Sequence, residues 1–463
     1  MPLRGAPRGS LWRKELRETL LGHGLWAALV ISTLLSGYSY VQAVQFYGQA
    51  SQAAEKSPEL GQGLSPLDGV FVPTFGGLYL ISTLLYPFVV IRTLGAEKQS
   101  GALQLLLQLP YSLADLLGAK LAAAVAAWAM LGSPCLVAIA LWAFQGGHVG
   151  ASETANLMLG HFLFALVIAG ISLTAAAAAR TAASASIAAI GVSLGFWVLD
   201  FAATGVNGLL KDLSAWSLTR MLKSFEAGIF SIGLVLAALC ATLGSTALAG
   251  VWLRADWSQT KKLANSLLVI SLTALAAAGS DHVRVYGDAT EDRRNSFSPD
   301  DEALLRTLNE RLTIRVYLAP SDPRVYDLER NILGKLRRTV RHVSVMYQDT
   351  DANRFLPGED DYGKVVYAYD GREAMTRSTS EQETLPRLYQ LAGVTKAPAE
   401  GKPPYPGYPL AASSRPAEIV FYYLLPAVVL AGWLASAGAW GVVKSYWLQI
   451  GSKSSLQENG REL

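Results

Sequence analysis

Charge is scarce in this chain. Asp, Glu, Lys and Arg make up 16% of its 463 residues, against about 25% in ordinary soluble domains, a shortfall that excludes a wholly water-soluble globule. Cysteine is scarcer still: Cys135 and Cys240 both lie in long apolar runs, which excludes a disulfide framework and a cysteine-based metal centre. The formal net charge of +3 is too small to draw the chain onto a polyanion, so nucleic acid is not an expected partner. The sequence also has no G-x-x-x-x-G-K-[ST] loop to cradle nucleotide phosphates, and its charged segment 282–417 has no C-x-x-C, no G-x-S-x-G and no H-E-x-x-H. No catalytic residue and no metal ligand set is therefore expected.

What the chain has is apolar length. Runs of the roughly 18 to 25 residues needed to cross about 30 Å of hydrocarbon as helix recur near 25–45, 71–93, 117–145, 154–178, 183–205, 228–252, 263–280 and 418–443. They predict an α-helical polytopic membrane protein with about eight spans. Of the 75 charged residues, 20 Lys/Arg and 20 Asp/Glu fall within 282–417, so an α/β domain in water is expected between spans seven and eight.

Lys and Arg in short loops stay on the cytoplasmic side. Arg4, Arg8, Arg13, Lys14 and Arg17 precede the first span; Arg92, Lys98 and Lys120 flank the second loop; Arg180, Arg254, Lys261, Lys262, Lys444 and Lys453 fall on the same side. Loops 46–70 and 146–153 hold one basic residue between them. Both termini are thus expected in the cytoplasm of a bacterial inner membrane, uncleaved, with 282–417 periplasmic. Arg220 and Lys223 stand against the rule on the outer side, and moving them inside would misplace every other loop.

Residues 1–24 are expected to form an interface helix, with Trp12, Leu16 and Leu20 at helical spacing and Arg13, Lys14, Arg17 and Glu18 on the other faces. Residues 97–120, EKQSGALQLLLQLPYSLADLLGAK, hold a helix too short to span and too apolar for water, with Gln104 and Gln108 as a narrow polar stripe. Pro110 stops it, and Ser112 with Asp115 caps the next helix.

That stretch resembles the segment after the second span of type-2 ABC exporter permeases. Glu97, Gly101, Leu103, Leu106, Leu107, Pro110, Ser112, Leu116 and Lys120 match the pattern, whereas Ala102 replaces a common Thr and Gln104 a common acid. The resemblance covers roughly 10–255. It implies a six-span permease core over 25–255 and a coupling helix within 97–112, docked on a dimer of a separate ABC ATPase that carries ATP and Mg; Glu97, Gly101, Leu103, Leu106, Leu107, Pro110 and Ser112 would be the coupling residues. A second permease copy, as a homodimer, and membrane lipid are the other implied partners. The stretch GLLKDLSAWSLTRMLKSFEAGIF before the sixth span suits the short outer-leaflet helices of that family, through Trp216, Arg220, Lys223, Phe225 and Gly228.

After a seventh span within 256–281, the outer segment alternates strands and helices. Ile314, Val316 and Leu318 share a strand face, Leu328, Ile332, Leu336 and Val340 recur at helical spacing, VSVMYQD is a strand, and Asp370-Gly371 turns a hairpin. Ser298 and Pro299 start a helix. Asp288, Thr290, Arg293 or Arg294, Phe297 and Ser298 resemble the start of the extracytoplasmic domain of gliding-motility-type ABC components, here fused to the permease and shortened. Asp349, Asp351, Glu359, Asp360 and Asp361 lack calcium-loop spacing and read as a solvated acidic loop; His342 reads as a surface residue. Residues 395–418 read as a Pro/Gly-rich tether to an eighth span within 418–445, and 446–463 as a cytoplasmic tail.

His161 and Asp200 are polar within spans. Either they mark a substrate path, or they make local hydrogen bonds, as the boundary position of Asp200 suggests. Two functions stay open: export of a lipid, glycan or peptide between two copies, or mechanical work on a periplasmic partner with nothing translocated. A receptor or scaffold without an ATPase is the third.

Overall fold

The computed structural model describes residues 8–57, 63–202, 216–280, 282–319, 322–347, 362–393 and 405–436, with Gly61, Ser214 and Gly438 besides. Eight helices in it are long and apolar enough to cross a membrane: His23–Lys56, Leu67–Ser100, Leu113–Phe144, Ala151–Ala178, Ala182–Ala202, Ile232–Leu253, Gln259–Ser280 and Arg415–Ser436. They are called spans one to eight below. The first runs eleven residues past the apolar stretch at 25–45, because GQASQAAEK is rich in helix formers and lacks a breaker before Ser57. Where the second span carries Pro87, which offers no amide to the ladder, the helix is interrupted at Leu85.

Small residues set how closely the spans cross, as expected where lipid gives no hydrophobic drive between helices. The fourth span is the most enclosed and lies against the sixth, where a Cβ on Gly170 would sit 2.1 Å from Ser245 Oγ. The sixth lies against the seventh, where a Cβ on Gly244 would sit 2.0 Å from Thr273 Oγ1. The fifth span departs from the close packing that its alanines suggest. Ile187, Trp197, Val198 and Phe201 are exposed on it, because only Ala185, Ser186, Ala189 and Ser193 are buried against neighbours.

The eighth span returns to the first. Phe421 lies over Gly37, 2.4 Å from where a Cβ would be, and stacks at a tilt on Tyr40, while Trp433 Nε1 donates to His23 Nδ1 at 2.8 Å. Replacing Gly37 by Val is expected to force Phe421 out and to lower stability by about 1–3 kcal/mol, the usual cost of overpacking. A thermal melt of the purified chain checks this.

The outer domain is a four-stranded sheet in the order β4-β3-β5-β6, built from β3 Leu312–Val316, β4 Val343–Tyr347, β5 Val365–Tyr369 and β6 Arg372–Thr376. β3 and β4 are parallel and joined by helix 323–339, which loosens to a π turn over Glu329–Leu333. The β5–β6 hairpin turns on Asp370 and Gly371, both at positive φ, as a tight primed turn requires. Ser298 caps Pro299–Leu305 through Asp301 N. Leu328, Ile332, Leu336 and Val340 are buried with Ile314, Val316 and Leu318 in one core, which a helix not foreseen from the sequence, Glu381–Ala392, completes with Leu385 and Leu388.

Two further strands, β1 Ile229–Ser231 and β2 Tyr286–Asp288, pair antiparallel and join the start of the sixth span to the base of the domain. From Tyr405 the tether is fastened: Tyr47 Oη donates to Tyr408 O at 2.8 Å, Leu410 N donates to Ser51 Oγ at 2.9 Å, and His148 stacks on Tyr408 at 3.7 Å. The acidic loop at 349–361 and the tail at 446–463 lie outside the described residues.

Candidate coupling site

The second span ends at Ser100, and Gly101 follows at φ 78°, the left-handed conformation that glycine adopts without a Cβ penalty. A new helix, Ala102–Gln108, runs on from it. Leu109 is extended, as the residue before Pro110 is disposed to be. Ser112 then starts the third span with a capping box: Asp115 N donates to Ser112 Oγ at 3.0 Å, and Ser112 N donates to Asp115 Oδ2 at 3.3 Å. Helix, corner and helix thus follow from one glycine, one proline and one cap.

Only Leu103 of the short helix is buried. Leu106 is half-buried, and Leu107 is exposed with Leu105, at 67%, and Leu109. Gln104, Gln108 and Pro110 are exposed beside them. Leu105, Leu107 and Leu109, two apart and so on different faces of the segment, each leave an apolar side chain exposed.

Behind that surface lies a charge cluster. The interface helix, Arg8–Leu20, packs on the third span through Leu11, Glu15 and Thr19, not through Trp12, which stays 41% exposed. Glu15 is 1% exposed there and meets Lys120, which is fully buried on the third span. Lys120 Nζ donates to Glu97 Oε2 at 2.6 Å, to Thr93 O at 2.7 Å and to Glu15 Oε2 at 3.0 Å, which uses all three of its protons. Lys14 covers the cluster from the water side, 2.5 Å from Glu97 Oε1 and 3.3 Å from Glu15 Oε1. The interface helix, second span and third span are thereby locked at one point. Lys98, one residue on from Glu97, donates to Ala177 O at 2.8 Å and Ala179 O at 2.7 Å, and so satisfies the free carbonyls at the end of the fourth span.

Among the predicted coupling residues, the structure brings Glu97, Gly101, Leu103, Leu106, Leu107, Pro110 and Ser112 into one stretch of backbone, with Glu97 and Leu103 facing inward. Glu15 is missing from the sequence reading and Lys120 enters it only as a motif match. The signal was there for Lys120: a lysine in an apolar span calls for a buried carboxylate.

At the far end of the spans, Asp200 Oδ2 accepts from Lys223 Nζ at 2.6 Å. His161 is buried against Phe75, its Nε2 3.3 Å from Glu226 Oε1 without hydrogen-bond alignment. Helix Leu218–Glu226 buries Leu218, Met221, Leu222 and Phe225 while Arg220 and Lys223 stay exposed. The domain base is latched beside it. Asp288 accepts from Asn295 N at 2.8 Å and from Thr290 Oγ1 at 2.5 Å, and Asn295 Nδ2 donates to Ala227 O at 2.7 Å. Arg294 pairs with Asp68 in the first turn of the second span, and Ser152 Oγ donates to Ala289 O at 2.7 Å. Gly228 sits at φ 85° with Thr290 Cγ2 2.2 Å from where a Cβ would be. Gly228→Ala is expected to cost about 1–3 kcal/mol and to speed amide exchange over 286–298.

A family model described as ABC-2 family transporter protein matches residues 10–280. The match begins inside the interface helix and ends with the seventh span, ahead of the sheet domain and the eighth span. No curated protein and no solved structure matches the chain.

Proposed function

The chain belongs to the ABC-2 transporter family, and from that premise we propose that it is the membrane-spanning subunit whose helix 102–108 docks on a separate ATP-hydrolysing subunit. The observation that carries this reading is the exposed leucine surface of that helix, set directly on the cluster of Lys14, Glu15, Glu97 and Lys120. Apolar surface at the membrane edge is stable only against protein or lipid, and the capping box at Ser112 holds this helix clear of the third span. Two ATPase subunits with ATP and Mg would serve two copies of this chain, and the exposed apolar and aromatic face of the fifth span suits contact with the second copy. The basic loops favour an orientation with both termini in the cytoplasm of an inner membrane and the sheet domain in the periplasm.

Purifying the full chain from its native membrane tests the proposal. An ATPase subunit is expected to co-elute, and a chain that elutes without one would leave the scaffold reading standing.

Between export and mechanical work, the latch favours the second. The base of the domain is tied to the second span through Asp68, to the fourth through Ser152 and to the sixth through Ala227 and β1, so tilting of the spans would carry the domain with it. A periplasmic partner on the domain is part of this reading. The resemblance of 288–298 to gliding-motility-type components suits this reading too, since Asp288, Thr290 and Arg294 stand both in that resemblance and in the latch.

A further inference from the structure

Two arginines and two histidines converge where the outer domain meets the end of the seventh span. His282 and Arg284 follow that span, and Arg341 and His342 lie between helix 323–339 and β4. The four line a cavity of about 380 Å³. Arg284 Nη1 donates to Arg341 O at 2.5 Å, which fastens the two segments together. No acidic side chain among the described residues lines the cavity; Asp281 lies outside them. The side chains of His282, Arg341 and His342 make no hydrogen bond or ion pair there either. Like charges gathered without a counter-charge among the described residues repel, so the cavity would gain from an anion.

The approach to it from the membrane is apolar. Leu268, Leu272 and Leu275 are all more than half exposed, at i, i+4 and i+7 on the seventh span. Leu272 lies about 12 Å of helix below Ser280, where the span ends, within the depth of one leaflet, roughly half of 30 Å. A soluble anion would have no use for that strip, whereas a lipid has both a phosphate and acyl chains to place.

We propose that the cavity holds the phosphate of an anionic phospholipid, with its chains along Leu268, Leu272 and Leu275. Arginine suits the phosphate because its planar fork donates two hydrogen bonds. The lipid would bind the corner of the sheet domain at Arg341 to the membrane surface, a second anchor beside the latch at Asp288. Only the choice of leaflet rests on the topology proposed above, and a nanodisc offers both leaflets alike.

The test uses the full chain, with whatever subunits co-purify, in nanodiscs of phosphatidylglycerol or of phosphatidylcholine. Slower amide exchange at 282–284 and 341–343 in phosphatidylglycerol is expected, and equal exchange in the two lipids overturns the proposal without any variant. Native mass spectrometry of mixed-lipid samples should then show phosphatidylglycerol retained selectively, with the selectivity reduced on the order of thirty-fold by Arg284→Gln with Arg341→Gln, the loss of two basic side chains at an anionic surface. Arg284→Lys with Arg341→Lys should keep most of it. Unchanged retention in the Gln pair, or full displacement of the lipid by millimolar inorganic phosphate, would overturn the assignment.

Discussion

Replacing Leu105 and Leu107 together by Asp is expected to strip the ATPase subunit from the chain while leaving its melting temperature where it was. In the isolated chain Leu105 is 67% and Leu107 36% exposed, so the substitution removes little from the fold. Docked, each leucine would give up its water for protein, worth about 1.5–3 kcal/mol, and a carboxylate in its place would have to be desolvated without a partner. Two such losses weaken binding by at least about a hundredfold at 1.4 kcal/mol per decade. Co-purification and the ATP turnover of the complex read the result. Leu103→Asp is the contrast: that leucine is buried, so it should lower the melting temperature as well. Retained co-purification by the double variant would sink the coupling assignment.

The corner itself was legible in the sequence because it is made by residues with fixed backbone habits. Gly101, Pro110 and the Ser112–Asp115 pair each dictate a local conformation that needs no neighbour to be specified. The eight spans were legible for a related reason, since length and apolarity alone select them. What stayed hidden depends on distant partners. Glu15 reads as a water-facing residue on an amphipathic helix, and only the approach of Lys120, 105 residues away, makes it interior. Trp12, at helical spacing with Leu16 and Leu20, stays 41% exposed, because Leu11, Glu15 and Thr19 are the residues that face the third span. The contact between spans one and eight was likewise invisible, because Gly37 and Phe421 are far apart in the chain and neither is unusual in a span. The outer helix 381–392 escaped notice because Pro386 stands inside it, and a proline argues against a helix until tertiary packing of Leu385 and Leu388 outweighs it.

Lys120→Met is expected to cost about 3–5 kcal/mol, the usual price of breaking a buried ion pair by removing one partner. Methionine fills nearly the same volume, so little of this is a cavity effect. The cost arises because Glu15 and Glu97 keep their charges and lose the ammonium that satisfied both. Its reach is local: amide protection of the interface helix 8–20 should fall, while that of the sheet domain, which shares no contact with the cluster, should not. Adding Glu15→Gln should return more than half of the loss, since Lys14 remains 2.5 Å from Glu97 and neutralises the one carboxylate left. The pH dependence separates charge from packing. Burial already pushes the Glu15 carboxyl above its ordinary range, with Lys120 opposing, so without Lys120 it rises further. A carboxyl whose folded pKa lies above its unfolded one favours the fold below the unfolded pKa and loses that advantage as the pH climbs to the folded value. The deficit of Lys120→Met should therefore shrink as the pH is lowered, and this pH dependence should vanish in the double variant, whereas a packing defect would be the same at every pH. In the coupled complex the same variant should hydrolyse ATP with the interface helix loosened, so that turnover continues and the movement of the spans that it drives is lost.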